Sequence, residues 1–428
     1  MTTIFKFGGA SIKDAEAIRH LGELLNRLET RPRTIVISAM GKTTNALEAL
    51  LAAARHGDES DYRHQLEALR RDHLATVESL FGASGGSVAE RVETLLEELD
   101  ECHRQHRGDD RPHHYDQTIC YGELLSTTIV SAWLNEIGVD NDWYDARQLI
   151  VTDANHQAAN VDWAKTSQRL KTLEGEPLVV TQGFIGGTAD GDSTTLGREG
   201  SDFSAAIIAH CLGASEVVIW KDVPGLFNAD PRRFDNARQL MQISYHEAIE
   251  LAWLGAKVIH PKTLAPLRER QIPLKVRSFK ALDAPHSVIS ARGDDDAMPA
   301  CILAEEQVLL EIQPRDFSFM DEARQLDALG RLVDAGLHAN LIDSSAMRLS
   351  LCLDAHPERL EPLVESLDAD YALTRHDDLT LLSVRHPTQA LLDSLSKGRA
   401  HLVERRNREV AQRLFHSNDC PETWHIPD

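Results

Sequence analysis

The amino terminus of this chain sets the strongest constraint on its fold. Residues 4–11 read IFKFGGAS, so a short apolar strand runs directly into two glycines, and a helical pattern follows over residues 14–25. Glycines at such a turn let the backbone approach a phosphate closely, because no Cβ intervenes. Lys6 lies within the strand and can place its charge on phosphate oxygens. The spacing of a Walker A loop is absent, so the prediction is a phosphate site of a different type.

A second glycine-containing loop carries two charged residues to the start of a helix. Residues 195–202 read TLGREGSD and precede a run of small helical residues. A helix amino terminus offers free N–H groups and a positive dipole end to an anion. Arg198 is suited to a carboxylate or a phosphate, and Asp202 would gain from a nearby lysine. The alternative interpretation is a capped helix after a loop, without a ligand.

The first 280 residues alternate strands with helices. The pattern predicts strands at 34–38, 177–181, 216–220 and, as the last, 274–278, with two long helices over 59–107 and another helix over 122–137. Strands separated by helices indicate a mainly parallel sheet with helices on both faces. Ligands then bind beyond the carboxyl ends of the strands.

Composition narrows the class of protein. The net charge of −22 argues against nucleic acid and acidic membranes as partners, since both would repel the chain. Six single cysteines and 20 histidines lack the spacing of a disulfide frame or a metal site. No signal pattern or membrane-spanning apolar run is recognised, which predicts a cytoplasmic enzyme.

Only 11 residues are lysines, and four of them, Lys6, Lys42, Lys221 and Lys257, fall in glycine-containing or strand-end motifs. That placement favours chemical roles for these four.

The pattern changes after residue 280. A boundary is predicted over 281–299, followed by strand 307–312, helix 320–335, strands 338–343 and 347–353, helix 357–367, and strands 370–375 and 379–385. This order is typical of a ferredoxin-like α+β domain. A helix over 388–396 and a strand over 400–405 would begin a second, shortened module.

Six motifs together carry a family resemblance. They are residues 6–11, SAMGKTTN at 38–45, GELLS at 122–126, WKDVPG at 220–225, DPR at 230–232 and GAKVIHP at 255–261, beside the Arg198 loop. In this order the chain resembles the aspartokinases of the amino acid kinase family over residues 4–280. Three departures stand out: Ala10 replaces the usual threonine, Glu199 a common glycine and Phe227 a common tyrosine.

The resemblance implies a domain organisation. An α/β catalytic domain with the amino acid kinase fold would span residues 1–290, with a helical insertion at about 57–110. A smaller α+β ferredoxin-like region, similar to ACT regulatory modules, would span 300–428 as one module plus a shortened second. It also implies a homodimer and an amino-acid effector, lysine or threonine, at the ACT-like region. Asn340 stands where lysine-sensitive members often carry an aspartate.

The implied activity is transfer of the ATP γ-phosphate to the side-chain carboxylate of L-aspartate, with Mg²⁺. By the resemblance, Lys6 and Asp202 are catalytic, the second orienting the first. Arg198 would bind the substrate α-carboxylate and Glu123 its ammonium, while the other predicted substrate residues are Thr44, Gly200 and Ser201. The predicted nucleotide-binding residues are Lys6, Gly8, Gly9, Ser11, Lys221, Asp222, Phe227, Arg232, Lys257 and Val258; no metal ligand is assigned.

Alternatives remain open at this point. Glu123 could be a first-turn helix acid favoured by the dipole, and Asp222 could serve only the turn before Pro224. One alternative is another amino acid kinase of the same fold, acting on acetylglutamate or glutamate. The other is a non-catalytic amino-acid-sensing protein that keeps only the function of the regulatory domain. An acid at position 123 favours a substrate with a free ammonium.

Overall fold

The computed structural model describes residues 2–28, 31–106, 108, 110–173, 175–256, 259–293 and 298–427. The chain divides into two compact units. The first comprises Met1–Leu226, Met241–Ala248 and Ile259–Gly293, and the second comprises Phe227–Leu240, Ile249–Val258 and Asp294–Asp428.

Strands and helices alternate over much of residues 3–290, as the sequence predicts. In order they are β1 (Thr3–Phe7), α1 (Ala15–Arg27), β2 (Thr34–Ile37), α2 (Thr43–His56), α3 (Glu59–Phe81), α4 (Gly86–His106), α5 (Arg111–Glu136), β3 (Asp142–Tyr144), α6 (Ala146–Leu149), α7 (Trp163–Lys171) and β4 (Val179–Gln182). There follow β5 (Ile185–Gly187), β6 (Ser193–Thr195), α8 (Gly200–Leu212), β7 (Glu216–Lys221), β8 (Leu226–Phe227), β9 (Gln239–Leu240), β10 (Gln242–Ser244), α9 (Tyr245–Trp253), α10 (Pro261–Arg270), β11 (Leu274–Ser278) and β12 (Ser287–Ser290).

An eight-stranded sheet organises the first unit, in the order β10-β12-β11-β7-β1-β2-β4-β3. The central strand β1 is parallel to both neighbours, so Lys6 is in register with Val36 of β2 and Ile219 of β7. Among the strand pairs of this sheet in the described part of the chain, only β11–β12 is antiparallel. Phe7 stacks on Trp220 with ring centroids 5.9 Å apart, and both side chains are buried. The predicted mainly parallel α/β sheet is therefore confirmed.

Two predictions in this unit are wrong. The strand β11 is not the last, since β12 returns antiparallel beside it within the predicted boundary segment. The helix predicted from Gly122 begins eleven residues earlier as α5, where Asp110 accepts the His113 N–H and Pro112 lies in the first turn. Glu123 therefore lies in the middle of a buried helix and cannot be a first-turn acid.

The remaining elements form an antiparallel sheet with helices. They are β13 (Ala300–Pro314), α11 (Glu322–Asp334), β14 (Ala339–Ser344), β15 (Leu349–Asp354), α12 (Pro357–Asp368), β16 (Tyr371–Arg385), α13 (Gln389–Leu395), β17 (Val403–Arg406) and β18 (Val410–His416). Their strand order is β14-β15-β13-β16-β18-β17. The βαββαβ succession confirms the α+β class of this region.

Two long strands differ from the prediction. The predicted strands 370–375 and 379–385 are one strand, β16, which pairs along its length with β13. Both strands change register near residues with positive φ, Glu306 and Asp378, so the ladder bends at a bulge instead of ending. The sequence does not predict the first residues of β13, Ala300–Ala304, or the strand β18, and both of these segments pair with β16.

Across the described residues, none of the helices has both the length and the apolar composition required to cross a membrane.

Candidate active site

A buried ion pair lies at the carboxyl end of the central strand. The Lys6 Nζ is 2.6 Å from Oδ1 of Asp202, in the first turn of α8, and the two residues are 9 % and 3 % exposed. The strand fixes the lysine backbone, and the helix fixes the aspartate. Such a pair keeps a cation in place inside the protein without leaving it uncompensated. The expectation that Asp202 lies near Lys6 is thus met by the geometry.

Glycines allow the surrounding loops to approach closely. A Cβ on Gly9 would lie 2.7 Å from the Ala39 carbonyl oxygen in the loop after β2, so only glycine fits there. Gly8 leaves open space beside Lys6, since a Cβ at this position would lie 3.5 Å from Nζ. The Ser11 N–H donates to the Gly8 carbonyl at 2.9 Å and closes the turn. An anion can therefore approach Lys6 along bare backbone.

Close contacts also surround the amino terminus of α8. A Cβ on Gly183, after β4, would lie 2.6 Å from the Ser201 Cβ, and one on Gly200 would lie 2.5 Å from the Phe184 ring. These contacts hold the helix terminus against the end of β4. Thr44 lies half-buried in the first turn of α2, which follows β2.

Glu123 points from α5 towards the loop after β2. Its Oε1 accepts the Ala39 N–H at 3.0 Å, while Oε2 is buried and has no hydrogen-bond partner among the described residues. Burial raises the pKa of this carboxyl to about 8, although the Ala39 N–H and the Lys6 charge lower it. An unpartnered buried carboxyl oxygen is costly unless a ligand completes it. An ammonium group is a suitable partner.

Arg198 differs from these groups, because it is exposed. It lies on the turn between β6 and α8 and makes no ion pair within the part of the chain that the structure describes. The following residue, Glu199, has φ of +52° and caps the helix in a left-handed conformation. The guanidinium is therefore available to a ligand.

The predicted nucleotide residues are distributed unevenly. Lys221 ends β7, next to the β1 turn in the sheet, and Asp222 follows on the exposed loop. Phe227 and Arg232 belong to the second unit, where Arg232 binds Asp230 through two guanidinium nitrogens at 3.1 and 2.7 Å. Lys257 and Val258 lie outside the described residues.

One buried carboxylate near the site, Asp116, is not predicted from the sequence. Asp116 is fully buried on α5, accepting Thr195 Oγ1 at 2.6 Å, His156 Nδ1 at 2.9 Å and the Gln157 N–H at 3.0 Å. It thus anchors the end of β6, from which the Arg198 loop starts. Its partners lie 40 to 79 residues away along the chain, so no pattern within α5 marks this acid.

Comparison with known proteins identifies the family of this chain. The model of the Amino acid kinase family matches residues 1–278. The chain belongs to this family. The lysine-sensitive aspartokinase 3 of Escherichia coli is 32 % identical over 82 % of this chain and 78 % of its own length. A bifunctional aspartokinase/homoserine dehydrogenase of Arabidopsis thaliana is 28 % identical over 87 % of the chain, which spans only 42 % of that relative.

Solved structures extend the likeness over both units. The structure of E. coli aspartokinase III with lysine and aspartate has a TM-score of 0.83, at 28 % identity, and covers 98 % of this chain and 97 % of its own. The same protein with aspartate and ADP has a TM-score of 0.82, at 27 % identity and the same coverage. Within the amino acid kinase family, the chain is therefore one of the aspartokinases, an enzyme class.

Proposed function

We propose that this protein transfers the γ-phosphate of ATP to the side-chain carboxylate of L-aspartate, giving 4-phospho-L-aspartate and ADP. The observation that carries the proposal is the placement of the buried Lys6–Asp202 pair and the unpartnered Glu123 oxygen at one edge of the sheet. One group suits a phosphate and the other an ammonium. The aspartokinase relatives support this assignment.

The chemistry needs little proton transfer. A substrate carboxylate is ionised at neutral pH, so it can attack phosphorus without a strong general base. Catalysis then depends on positioning and on neutralising charge, as in phosphoryl transfer generally. Lys6 supplies a cation at the phosphate oxygens, and Asp202 positions it. Mg²⁺, when bound with the nucleotide, supplies further neutralisation of the phosphates; the open backbone at Gly8 fits a polyphosphate there.

The acceptor would be held at both of its charged ends. The Glu123 carboxylate would accept the ammonium, and the Arg198 guanidinium would bind the α-carboxylate through two parallel hydrogen bonds. Thr44, Gly200 and Ser201 lie around the start of α2 and α8 and would add hydrogen bonds. N-acetylation of the substrate removes the ammonium and leaves Glu123 unpartnered, so we expect acetylated amino acids to be rejected.

An assay of ADP release tests the proposed function. The full chain is incubated with ATP and Mg²⁺ and, in separate reactions, with L-aspartate, L-glutamate, N-acetyl-L-aspartate, N-acetyl-L-glutamate or no acceptor. Among these reactions, we expect ADP release only in the one that contains L-aspartate. This release should stop when EDTA removes Mg²⁺. Equal rates with aspartate and N-acetyl-aspartate would contradict the assignment, as would no release with any acceptor.

We also propose a homodimer formed through the second unit. Helix α11 buries Ala328 and Leu332 but leaves Leu326 and Val333, two turns apart on one side, 74 % and 70 % exposed. Phe317, just before the helix, is 89 % exposed. An apolar face of this kind favours association, and a two-fold axis would place it against its own copy. Sedimentation should give a dimer, and Leu326→Glu should shift it towards monomer.

A further inference from the structure

Glu199 adopts a backbone conformation that disfavours its own residue type. Its φ and ψ are +52° and +30°, in the left-handed region. A residue with a Cβ is strained there, whereas glycine is not. The strain persists only if the rest of the structure compensates for it.

The Glu199 side chain provides a contact that glycine cannot make. Its Oε2 accepts the His260 N–H at 2.8 Å, across 61 residues of sequence. His260 caps the ten-residue helix α10, its Nδ1 accepting the Lys262 N–H. The carboxylate therefore satisfies a free N–H at a helix amino terminus, where negative charge is also favoured by the dipole.

A second contact ties the same loop to the same helix. The Lys262 Nζ donates to the Leu196 carbonyl at 3.0 Å and lies 4.8 Å from the centre of the Phe203 ring. Leu196 and Glu199 stand on either side of Arg198 in the sequence. The exposed arginine is thus carried by a short loop that is attached to α10 at both ends.

We propose that Glu199 is a positioning residue for Arg198. Its hydrogen bond to His260 holds the loop in the arrangement that binds the acceptor, so little freedom is lost when the α-carboxylate arrives. The inference rests on the proposed function, because it takes Arg198 as the acceptor's ligand. The hydrogen bond to His260 would thus offset the cost of the left-handed backbone at Glu199.

Two substitutions separate the tie from the strain. Glu199→Gly relieves the strain but removes the hydrogen bond, and Glu199→Gln keeps both the strain and an acceptor oxygen. We expect Glu199→Gly to raise the KM for aspartate about three- to tenfold, with kcat and the KM for ATP changed less than twofold. Glu199→Gln should remain within twofold of the wild type. If strain were all that mattered, the glycine variant would be equal or better.

Gln271→Gly is the matched control. Gln271 ends α10 with φ of +56°, so glycine relieves the same kind of strain away from the loop. We expect this variant to unfold at an equal or higher temperature and to keep the aspartate KM of the wild type. A raised KM in Gln271→Gly would overturn the inference, since it would tie the effect to backbone strain in general.

Amide hydrogen exchange tests the tie without reference to activity. The His260 amide should exchange faster in Glu199→Gly than in the wild type and in Glu199→Gln. Unchanged exchange overturns the tie itself, and faster exchange with an unchanged aspartate KM overturns the positioning role. No ADP release by the wild type with aspartate would instead overturn the proposed function, so the two failures are distinguishable.

Discussion

The proposed phosphate-binding and acceptor-binding ends of the candidate site differ in whether their charged groups already have partners. At the phosphate end, Lys6 and Asp202 already pair at 2.6 Å in a buried position. At the acceptor end, Glu123 keeps an unpartnered buried oxygen and Arg198 is exposed without an ion pair in the described residues. A preorganised cation acts on charge that develops in the transition state, whereas groups that a ligand completes contribute mainly to binding. The comparison therefore predicts rate effects at one end and affinity effects at the other.

Removing the preorganised cation should have the largest effect. We expect Lys6→Ala to lower kcat by about 10²–10³-fold with little change in the KM for aspartate, because the lysine acts chiefly on transition-state charge. Steady-state kinetics of ADP release measure both constants. Lys275→Ala is the control, since Lys275 pairs with Glu216 at the same 2.6 Å but at the other end of the strands. An unchanged kcat in Lys6→Ala would refute its role.

At the acceptor end, Arg198→Lys should act on affinity. An ammonium cannot reproduce the two parallel hydrogen bonds of a guanidinium, so the KM for aspartate should rise by about 10–50-fold while kcat falls less. The KM for ATP is the internal control and should stay within twofold. A fall in kcat without a change in the KM for aspartate would contradict the division between the two ends.

Glu123 makes the acceptor end sensitive to pH. Its pKa of about 8 leaves the carboxyl mostly protonated at neutral pH, and a bound ammonium favours the ionised form. Binding therefore releases a proton, and the KM for aspartate should fall as the pH rises towards about 8 and then level off. Well below the pKa, the KM for aspartate should change by about tenfold per pH unit, because only the ionised fraction of Glu123 receives the ammonium. Kinetics from pH 6 to 9 measure it.

Glu123→Gln provides the comparison for that profile. The amide cannot ionise, so the variant should bind aspartate weakly at every pH, with the pH dependence below 8 removed and ATP binding intact. A wild-type profile that is flat over this range would show that Glu123 does not receive the ammonium.

Local patterns predicted the elements but not the partners at the site. The strand carrying Lys6 and the helix that follows it, α1, are predicted from the patterns within those segments. By contrast, the Glu123 carboxyl meets the Ala39 N–H across 84 residues, and Glu199 meets His260 across 61. Such contacts depend on how elements pack, which a pattern within one segment does not contain. The merging of two predicted strands into β16 has the same origin, since its pairing with β13 carries it past the bulge.

The smallest expected effect concerns Asn340 in the second unit. Its polar groups already have hydrogen-bond partners within the protein, as Lys6 already has Asp202. The two N–H bonds of its side-chain amide are directed to Gln307 Oε1 and Asp354 Oδ1, each at 2.8 Å, and its backbone carbonyl accepts a hydrogen bond from Gln412 Nε2 at 3.1 Å. An amide nitrogen has only these two donors. Asp354 Oδ1 also accepts Gln307 Nε2 at 2.8 Å, so this carboxylate oxygen is already occupied by two donors.

An effector ammonium would have to displace these contacts, and the neutral Asn340 side chain offers no charge to stabilise the ammonium in return. We therefore expect millimolar L-lysine to inhibit ADP release weakly or not at all. Asn340→Asp would place a second carboxylate beside Asp354, and the repulsion between the two would favour a bound cation. This variant should gain sensitivity to lysine by a few-fold, measured as inhibition by lysine at fixed aspartate, while Asn340→Ala should not. Tight inhibition of the wild type that disappeared in Asn340→Ala would mean that the amide itself binds the effector. In that case, a polar group that already has hydrogen-bond partners could still bind a ligand, and the comparison between the two kinds of group would fail.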